Sequence, residues 1–269
     1  MKTTAFILTA ITATAICGCA PKQAKSLVLY YSVSGTTETV AKVFAEKTGA
    51  DIVRIEAVDP YVNDYQTIID TYQKEMAEGI TRDIQPLEVN LDDYDVIYLG
   101  CPVWFGHCAG PMETFLKNYN LAGKKVVPFF TFGSGGNTAY DMVKNYQPEA
   151  EIPGWYGVRA ARVDKAASEV EAFLVGIGEL EGEAVELPEF SEAREVSEAD
   201  MAVFNEACGS YPMPLGTPAS ICSRELSDAV EYIFTTQNTT PDGAISTSEI
   251  YVTAPKAEGS AAEFTQVVR

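Results

Sequence analysis

The chain has 269 residues, of which 46% are hydrophobic and 21% charged, and its formal net charge at pH 7 is -19. This length and apolar content suit one or two globular domains and argue against a disordered chain. The negative charge argues against proteins that bind nucleic acid or anionic lipid through a basic patch. Acidic residues are concentrated after residue 180, which indicates a domain boundary near that position.

Residues 1–25 have the pattern of an export signal followed by a polar tether. A lysine precedes an apolar run of about a dozen residues, which is too short to span a bilayer. The "ICGC" after this run is similar to the lipobox of bacterial lipoproteins, whose final cysteine is acylated. The resemblance implies lipidation at Cys19 and an exported, lipid-anchored protein of the cell envelope. A plain cleaved signal peptide is the alternative.

Five strand and helix units follow between residues 26 and 179. Short apolar runs bounded by polar residues predict buried strands, and each is followed by a segment with helical spacing of apolar residues. The predicted strands begin near residues 25, 51, 95, 123 and 154. Gly49 is expected to end the first helix, and residues 65–78 are expected to form the second. This order predicts an α/β domain with a parallel sheet covered by helices on both faces.

A polar cluster, "SVSGTT" at residues 32–37, separates the first strand from the first helix. It offers several hydroxyl groups, and Gly35 allows a tight turn before the helix. The free N–H groups and the dipole of a helix N-terminus favour an anion, so the cluster predicts a phosphate site. Ordinary helix capping by one hydroxyl is the alternative. The loop contains no Lys or Arg and is not a Walker loop.

Two further loops follow strands of the same sheet. Cys101 to Pro111 carries Trp104 and Phe105, and large rings in a loop are typical of contact with a flat aromatic ligand. Thr131 to Asn137 is rich in glycine, which lets a backbone approach a ligand closely. Because the carboxyl ends of parallel strands share one edge, the three loops together predict a site for a mononucleotide with an aromatic base.

From about Ser26 to Gly178 the chain resembles the flavodoxins, in the phosphate loop "SVSGTT", in "GCPVWFG" and in "GKKVVPFFTFGSGG". The resemblance implies a five-stranded parallel sheet of order 2-1-3-4-5 and FMN as the cofactor. It assigns the phosphate to Ser32, Ser34, Gly35, Thr36 and Thr37. It assigns the flavin ring, stacked on Trp104, to Pro102, Val103, Trp104, Phe105 and Gly106 and to Thr131, Phe132, Gly133, Ser134, Gly135 and Gly136.

The remaining chemistry-bearing residues give weaker indications. His107 is the chain's one histidine, and it could act beside the flavin or be an exposed residue before the next helix. Metal binding is not expected, because one histidine and scattered cysteines offer no ligand spacing. Cys101 is expected to be a small core residue. A disulfide between Cys208 and Cys222 stays open in an exported protein.

The C-terminal part is expected to form a separate module. Residues 180–196 are acidic and lack periodicity, as a linker would, and residues 197–269 predict one helix capped by Ser197 and an antiparallel sheet of four strands. This module is similar to the cystatin-like fold. Where inhibitory cystatins carry a hairpin with the motif Q-x-V-x-G, this chain has "SICSREL", so protease inhibition is not implied.

The resemblance implies a redox flavoprotein that passes electrons through FMN to a partner protein or a small acceptor. Two alternatives stay open, an FMN-dependent NAD(P)H or quinone reductase and a binding or structural lipoprotein that has lost FMN. Whether the protein is an enzyme or a carrier is left open, because the flavin does the chemistry and no acid–base residue is required.

Overall fold

The computed structural model describes residues 24–135, 137–239 and 243–268. Within these residues the chain forms two β-sheets, a mostly parallel one in the first part and an antiparallel one in the second. The predicted signal sequence with Cys19, and Gly136 of the third loop, lie outside the described residues.

The first sheet has the predicted order. Its parallel strands run in the order β2-β1-β3-β5-β6. They are β1 (Ser26–Tyr30), β2 (Asp51–Arg54), β3 (Val96–Trp104), β5 (Lys125–Phe132) and β6 (Tyr156–Arg159). A two-residue strand, β4 (His107–Cys108), pairs antiparallel with the end of β3. The predicted order 2-1-3-4-5 of the parallel strands is therefore confirmed.

Helices cover both faces of this sheet, as predicted. In β1, Leu27 and Leu29 face one core while Val28 and Tyr30 face the other, because side chains alternate along a strand. The first core includes side chains of α2 and α3, and the second those of α1 and α5. The helices are α1 (Thr36–Thr48), α2 (Tyr65–Glu78), α3 (Gly110–Asn118), α4 (Asn137–Tyr146) and α5 (Ala166–Gly176).

The helix ends follow from local sequence. Gly49 takes a left-handed conformation, with φ of 70°, and its N–H donates to the Ala45 carbonyl, so the predicted end of α1 is confirmed. The second helix has the predicted bounds, with Asp64 capping its start and Gly79 ending it.

The C-terminal module contains the predicted helix and four strands. The strands β7 (Thr217–Glu225), β8 (Ala229–Thr239), β9 (Ile245–Pro255) and β10 (Glu263–Val268) form an antiparallel sheet in the order β10-β9-β8-β7. Helix α6 (Glu198–Cys208) packs Phe204 edge-on against Phe234, at 5.1 Å between ring centroids. The likeness of this module to the cystatin-like fold stays a prediction.

The second half of the predicted linker lies against this sheet. Arg194 exchanges two backbone hydrogen bonds with Ile221 of β7, each of 3.0 Å, and the Ser191 N–H donates to the Ser223 carbonyl. These contacts satisfy polar groups on an edge strand, which would otherwise be open to another chain.

Among the described residues, no helix is long and apolar enough to cross a membrane.

Candidate functional site

The start of α1 is arranged for an anion. Gly35 occupies the N-cap position with φ of 88° and provides no side-chain cap, so the capping alternative is wrong for this helix. Its own N–H donates to the Ser32 Oγ at 3.1 Å. A Cβ added at Gly35 would meet no atom within 4 Å, so the space in front of the turn is open. Uncapped N–H groups at an open helix end fit a phosphate.

The hydroxyl groups of the first loop divide into two kinds. Ser34 is exposed, and its Oγ lies 3.1 Å from the Thr36 Oγ1, at the mouth of the turn. Ser32 and Thr37 are each 1% exposed and face inward. We therefore expect Ser34 and Thr36 to contact a ligand with their hydroxyls, and Ser32 and Thr37 to shape the loop.

The buried Thr37 hydroxyl ties the first loop to the third. Its Oγ1 lies 2.7 Å from the Oγ1 of Thr131, at the end of β5, and both side chains are buried. The structure therefore brings these two predicted site residues together. A buried hydrogen bond of this kind fixes the separation of two loops that are far apart in sequence.

A cation that the sequence analysis missed lies beside the phosphate loop. The Arg54 Nη2 donates to the Ser32 carbonyl at 2.7 Å from the end of the neighbouring strand β2. The same side chain pairs with Glu56 at 3.2 Å and with Glu38 at 3.8 Å. Arg54 on the adjacent strand thus supplies a positive charge beside a loop that contains no basic residue. This charge is shared with two carboxylates.

The second predicted loop is a tight hairpin. Strand β3 continues to Trp104, which pairs with His107 of β4 across a turn formed by Phe105 and Gly106. Both turn residues have positive φ, 49° for Phe105 and 82° for Gly106. A two-residue turn with these angles normally contains Asn or Gly, so Phe105 holds a strained backbone. The residue is 49% exposed at the tip of the hairpin.

Trp104 is held in a cluster of tyrosines. Its ring meets Tyr31, Tyr61 and Tyr72 edge-on, with ring centroids 6.3, 4.9 and 5.2 Å away. Burial raises the pKa of each of these tyrosines well above its usual range, so all three are neutral at physiological pH. Trp104 is therefore a rigid base for the hairpin, while Phe105 is its exposed ring. Stacking of Trp104 on a ligand stays a prediction.

The hairpin is also tied to the start of α4. The Thr138 Oγ1 donates to the Gly106 carbonyl at 2.5 Å. Because α4 directly follows the third loop, this bond joins the second loop to the third. The three predicted loops thus lie at one edge of the sheet. The first loop is hydrogen-bonded to the third, and the second is hydrogen-bonded to the helix that follows the third.

In the third loop, one residue packs in the core, and the two after it accept hydrogen bonds from more distant parts of the chain. Phe132 is 4% exposed and packs in the core, so only its backbone can reach a ligand. Gly133 and Ser134 carry backbone carbonyls that accept hydrogen bonds from Arg159 and Val267. A sequence analysis could not find these contacts, because they come from β6 and from the far C-terminal strand.

The histidine is exposed, and three of the four described cysteines are buried. His107 is exposed on β4, and Cys101 is buried, as predicted for a small core residue. The thiol of Cys101 and burial raise the pKa of Cys108. Cys208 and Cys222 are free; Cys208 faces the core, while Cys222 follows the inward-facing Ile221 and points to the opposite face. The described residues contain no cluster of three or more metal-ligating side chains.

The strand order defines a doubly wound α/β domain, and the uncapped start of α1 makes a candidate anion site at its topological switch point. Residues 25–158 match the family model described as Flavodoxin. This domain therefore belongs to the flavodoxin family, as its sequence predicts. The family is one of FMN-binding proteins.

Solved structures of similar proteins match a little over half of the chain. A protein from Bacteroides eggerthii assigned as a flavoprotein is 25% identical, with a TM-score of 0.49, and the match covers 58% of this chain and 98% of that one. A flavoprotein from Lactobacillus acidophilus in complex with FMN is 27% identical, with a TM-score of 0.43, over 54% of this chain and 99% of that one.

Proposed function

We propose that this protein binds FMN and transfers electrons through it at the cell envelope. The uncapped start of α1 at Gly35 is the observation that carries the proposal, because it offers backbone N–H groups to a phosphate in open space. Family membership of residues 25–158 supports FMN as the ligand.

Each loop would have its own part in binding. The α1 turn would hold the phosphate, with the Ser34 and Thr36 hydroxyls at its mouth and the Arg54 guanidinium behind the Ser32 carbonyl. The exposed Phe105 ring would cover the isoalloxazine, which is flat and aromatic. Bound FMN would supply the one-electron and two-electron chemistry.

The protein's own residues would position the flavin and shield it from water. The hairpin cannot shift freely, since Trp104 packs among three tyrosines and Thr138 bonds to Gly106. Electron transfer through the flavin requires no proton donor from the protein, whether the protein is a carrier or a reductase. We propose the carrier, which receives electrons from one partner, a protein or a small molecule, and passes them to another.

The phosphate site is tested by the substitution Gly35→Asp, with Gly35→Asn as its matched control. Both side chains tolerate a left-handed backbone, and a Cβ has open space at this position. Only Asp places a negative charge where the phosphate would lie. We expect Gly35→Asp to weaken FMN binding by about 100-fold or more and Gly35→Asn to weaken it far less.

Titration of each purified variant with FMN, followed by flavin fluorescence, measures this difference. Circular dichroism checks that both variants are folded. Equal dissociation constants for the Asp and Asn variants would contradict the phosphate assignment.

The location at the envelope is a separate proposal, and it depends on Cys19. We expect Cys19→Ser to abolish incorporation of labelled fatty acid and to release the protein from the membrane fraction, because the acylated thiol would be the anchor. Cys17→Ser is the matched control and should keep both. Fatty-acid labelling that survives in Cys19→Ser would overturn the lipid-anchor proposal.

A further inference from the structure

The last strand of the C-terminal module contacts the third loop of the candidate flavin site. The Val267 N–H donates to the Ser134 carbonyl at 2.8 Å. Strand β10 is at the edge of its sheet, so the backbone groups on its outer side are available to another segment. The described end of the chain is therefore hydrogen-bonded to a loop more than a hundred residues earlier.

Close packing accompanies this hydrogen bond. A Cβ added at Gly135 would lie 2.0 Å from the Val267 carbonyl oxygen, which no real side chain could occupy. The absence of a side chain at Gly135 thus serves the approach of β10. The sequence analysis assigned this glycine to a close approach of the ligand.

Arg159 connects the same two segments through its side chain. Its Nε donates to the Gly133 carbonyl at 2.8 Å, and its Nη1 donates to the Phe264 carbonyl of β10 at 2.9 Å. Its guanidinium carbon lies 4.1 Å from the centroid of the Phe264 ring and 5.3 Å from that of Tyr211. One planar cation therefore joins the third loop to the C-terminal module.

A neighbouring ion pair keeps the module in this place. Arg162 pairs with Glu263 of β10 and with Glu169 of α5, each at 2.9 Å, and the Arg162 side chain is 16% exposed. Arg159 and Arg162 thus both hold β10 at the carboxyl end of β6. Because the contacts are short and partly buried, they limit the movement of β10 against the loop.

We propose that Arg159 is a positioning residue for the flavin and that the C-terminal module completes the cofactor site by fixing the loop Gly133–Gly135. This proposal rests on the proposed function, since it names a part of the same FMN site. Fixing the loop before the ligand binds reduces the entropy that binding has to overcome. A fixed loop would also keep its backbone groups at a constant distance from the bound flavin ring. This distance affects the reduction potential, because protein groups that hydrogen-bond to the ring tune its electronic properties.

The test uses the full protein with substitutions on both sides of the contact. Arg159→Ala removes both side-chain bonds, and Arg159→Lys keeps the charge but not the fork that reaches two carbonyls. Val267→Pro removes the N–H donated to Ser134, and proline is tolerated on an edge strand. Val267→Ala is its matched control, because it keeps the N–H while losing the buried side chain.

Three quantities are measured in each variant: hydrogen exchange of the loop amides without FMN, the FMN dissociation constant, and the midpoint potential of the bound flavin. We expect Arg159→Ala and Val267→Pro to speed loop exchange and to weaken FMN binding by about tenfold, with a shifted potential. Arg159→Lys should recover part of each loss. Val267→Ala should match the wild type in all three.

Unchanged exchange in Arg159→Ala and Val267→Pro would overturn the proposal. So would faster exchange without any change in dissociation constant or potential, because the contact would then be structural only. A wild-type protein that takes up no FMN would contradict the proposed function itself. That failure is distinguishable, since loop exchange is measured without FMN.

Discussion

At the scale of single residues, Phe105 combines a left-handed backbone with an exposed side chain at the tip of the β3–β4 hairpin. A phenylalanine with φ of 49° stores about 1–2 kcal/mol of strain, and the residue is 49% exposed to water. Its one ring partner among the described residues is Tyr72, at 6.3 Å. We propose that contact with a ligand, rather than the stability of the hairpin, explains this residue.

The substitution Phe105→Asn tests this explanation. Asparagine accepts a left-handed backbone, so we expect the FMN-free protein to keep or gain stability, by up to about 1 kcal/mol. FMN binding should weaken by about tenfold, since one stacking partner contributes ~1–3 kcal/mol. Urea unfolding and FMN titration measure the two effects.

The control Phe105→Tyr keeps both the ring and the strain, and it should bind FMN like the wild type. Unchanged FMN affinity in Phe105→Asn would show that another residue covers the ring, and Trp104 would then be the first candidate.

Some residues of the candidate site could be predicted from the sequence, and others could not. The hydroxyls and glycine of "SVSGTT" are adjacent in sequence, so their chemistry could be recognised there. Arg54 and Arg159 reach the loops from other strands, and each acts through the carbonyl of a loop residue. No local pattern records such a contact, because it depends on which strand ends lie side by side.

At the scale of elements, helix α6 begins with a capping box in which Ser197 and Asp200 are joined by Arg194. The Asp200 carboxylate accepts from the Ser197 N–H and hydroxyl, at 2.9 and 2.7 Å, and from both Nη atoms of Arg194. Arg194 and these Ser197 donors hold the pKa of Asp200 well below its usual range. Helix α6 is thereby tied to the segment that lies along β7.

This cap predicts a pH dependence for the C-terminal module. Because the pKa of Asp200 is lower in the folded protein than its unfolded value of about 3.9, its contribution is fully present above that pH and is lost as the pH falls towards the folded pKa. We expect Asp200→Asn to lower the free energy of unfolding by about 1 kcal/mol at pH 7 and by progressively less below pH ~4.

Urea unfolding followed by circular dichroism between pH 7 and pH 2 measures this change. Glu198→Gln, an exposed carboxylate in the same turn, is the control and should have little effect. A difference between Asp200→Asn and the wild type that stays constant down to pH 2 would contradict the assignment.

The elements themselves were largely predictable. Long apolar strands and capped helices follow from hydrophobic spacing and from glycines such as Gly49. The sequence predicts a loop from Cys101 to Pro111 where the structure has the β3–β4 hairpin, because the turn has Phe105 where a turn of this type normally has Asn or Gly. The pairing of Ser191 and Arg194 with β7 was also missed, since an acidic stretch without periodicity gives no strand signal.

At the scale of the whole molecule, the two parts of the chain meet at the proposed cofactor site. The sequence predicts two modules but gives no signal of which surfaces touch. The contacts of β10 with Ser134, Gly135 and Arg159 place the C-terminal module beside the third loop. The module would thus be a part of the redox unit rather than a separate appendage.

The central claim, a redox protein that works through bound FMN, is tested most directly by one measurement. The visible absorption spectrum of the purified protein is recorded after incubation with FMN and removal of the excess, then during reduction and after addition of a one-electron acceptor. The account predicts a retained flavin band that bleaches on reduction and returns when the acceptor is added. A protein that retains no flavin, or whose reduced flavin passes no electrons to the acceptor, would contradict it.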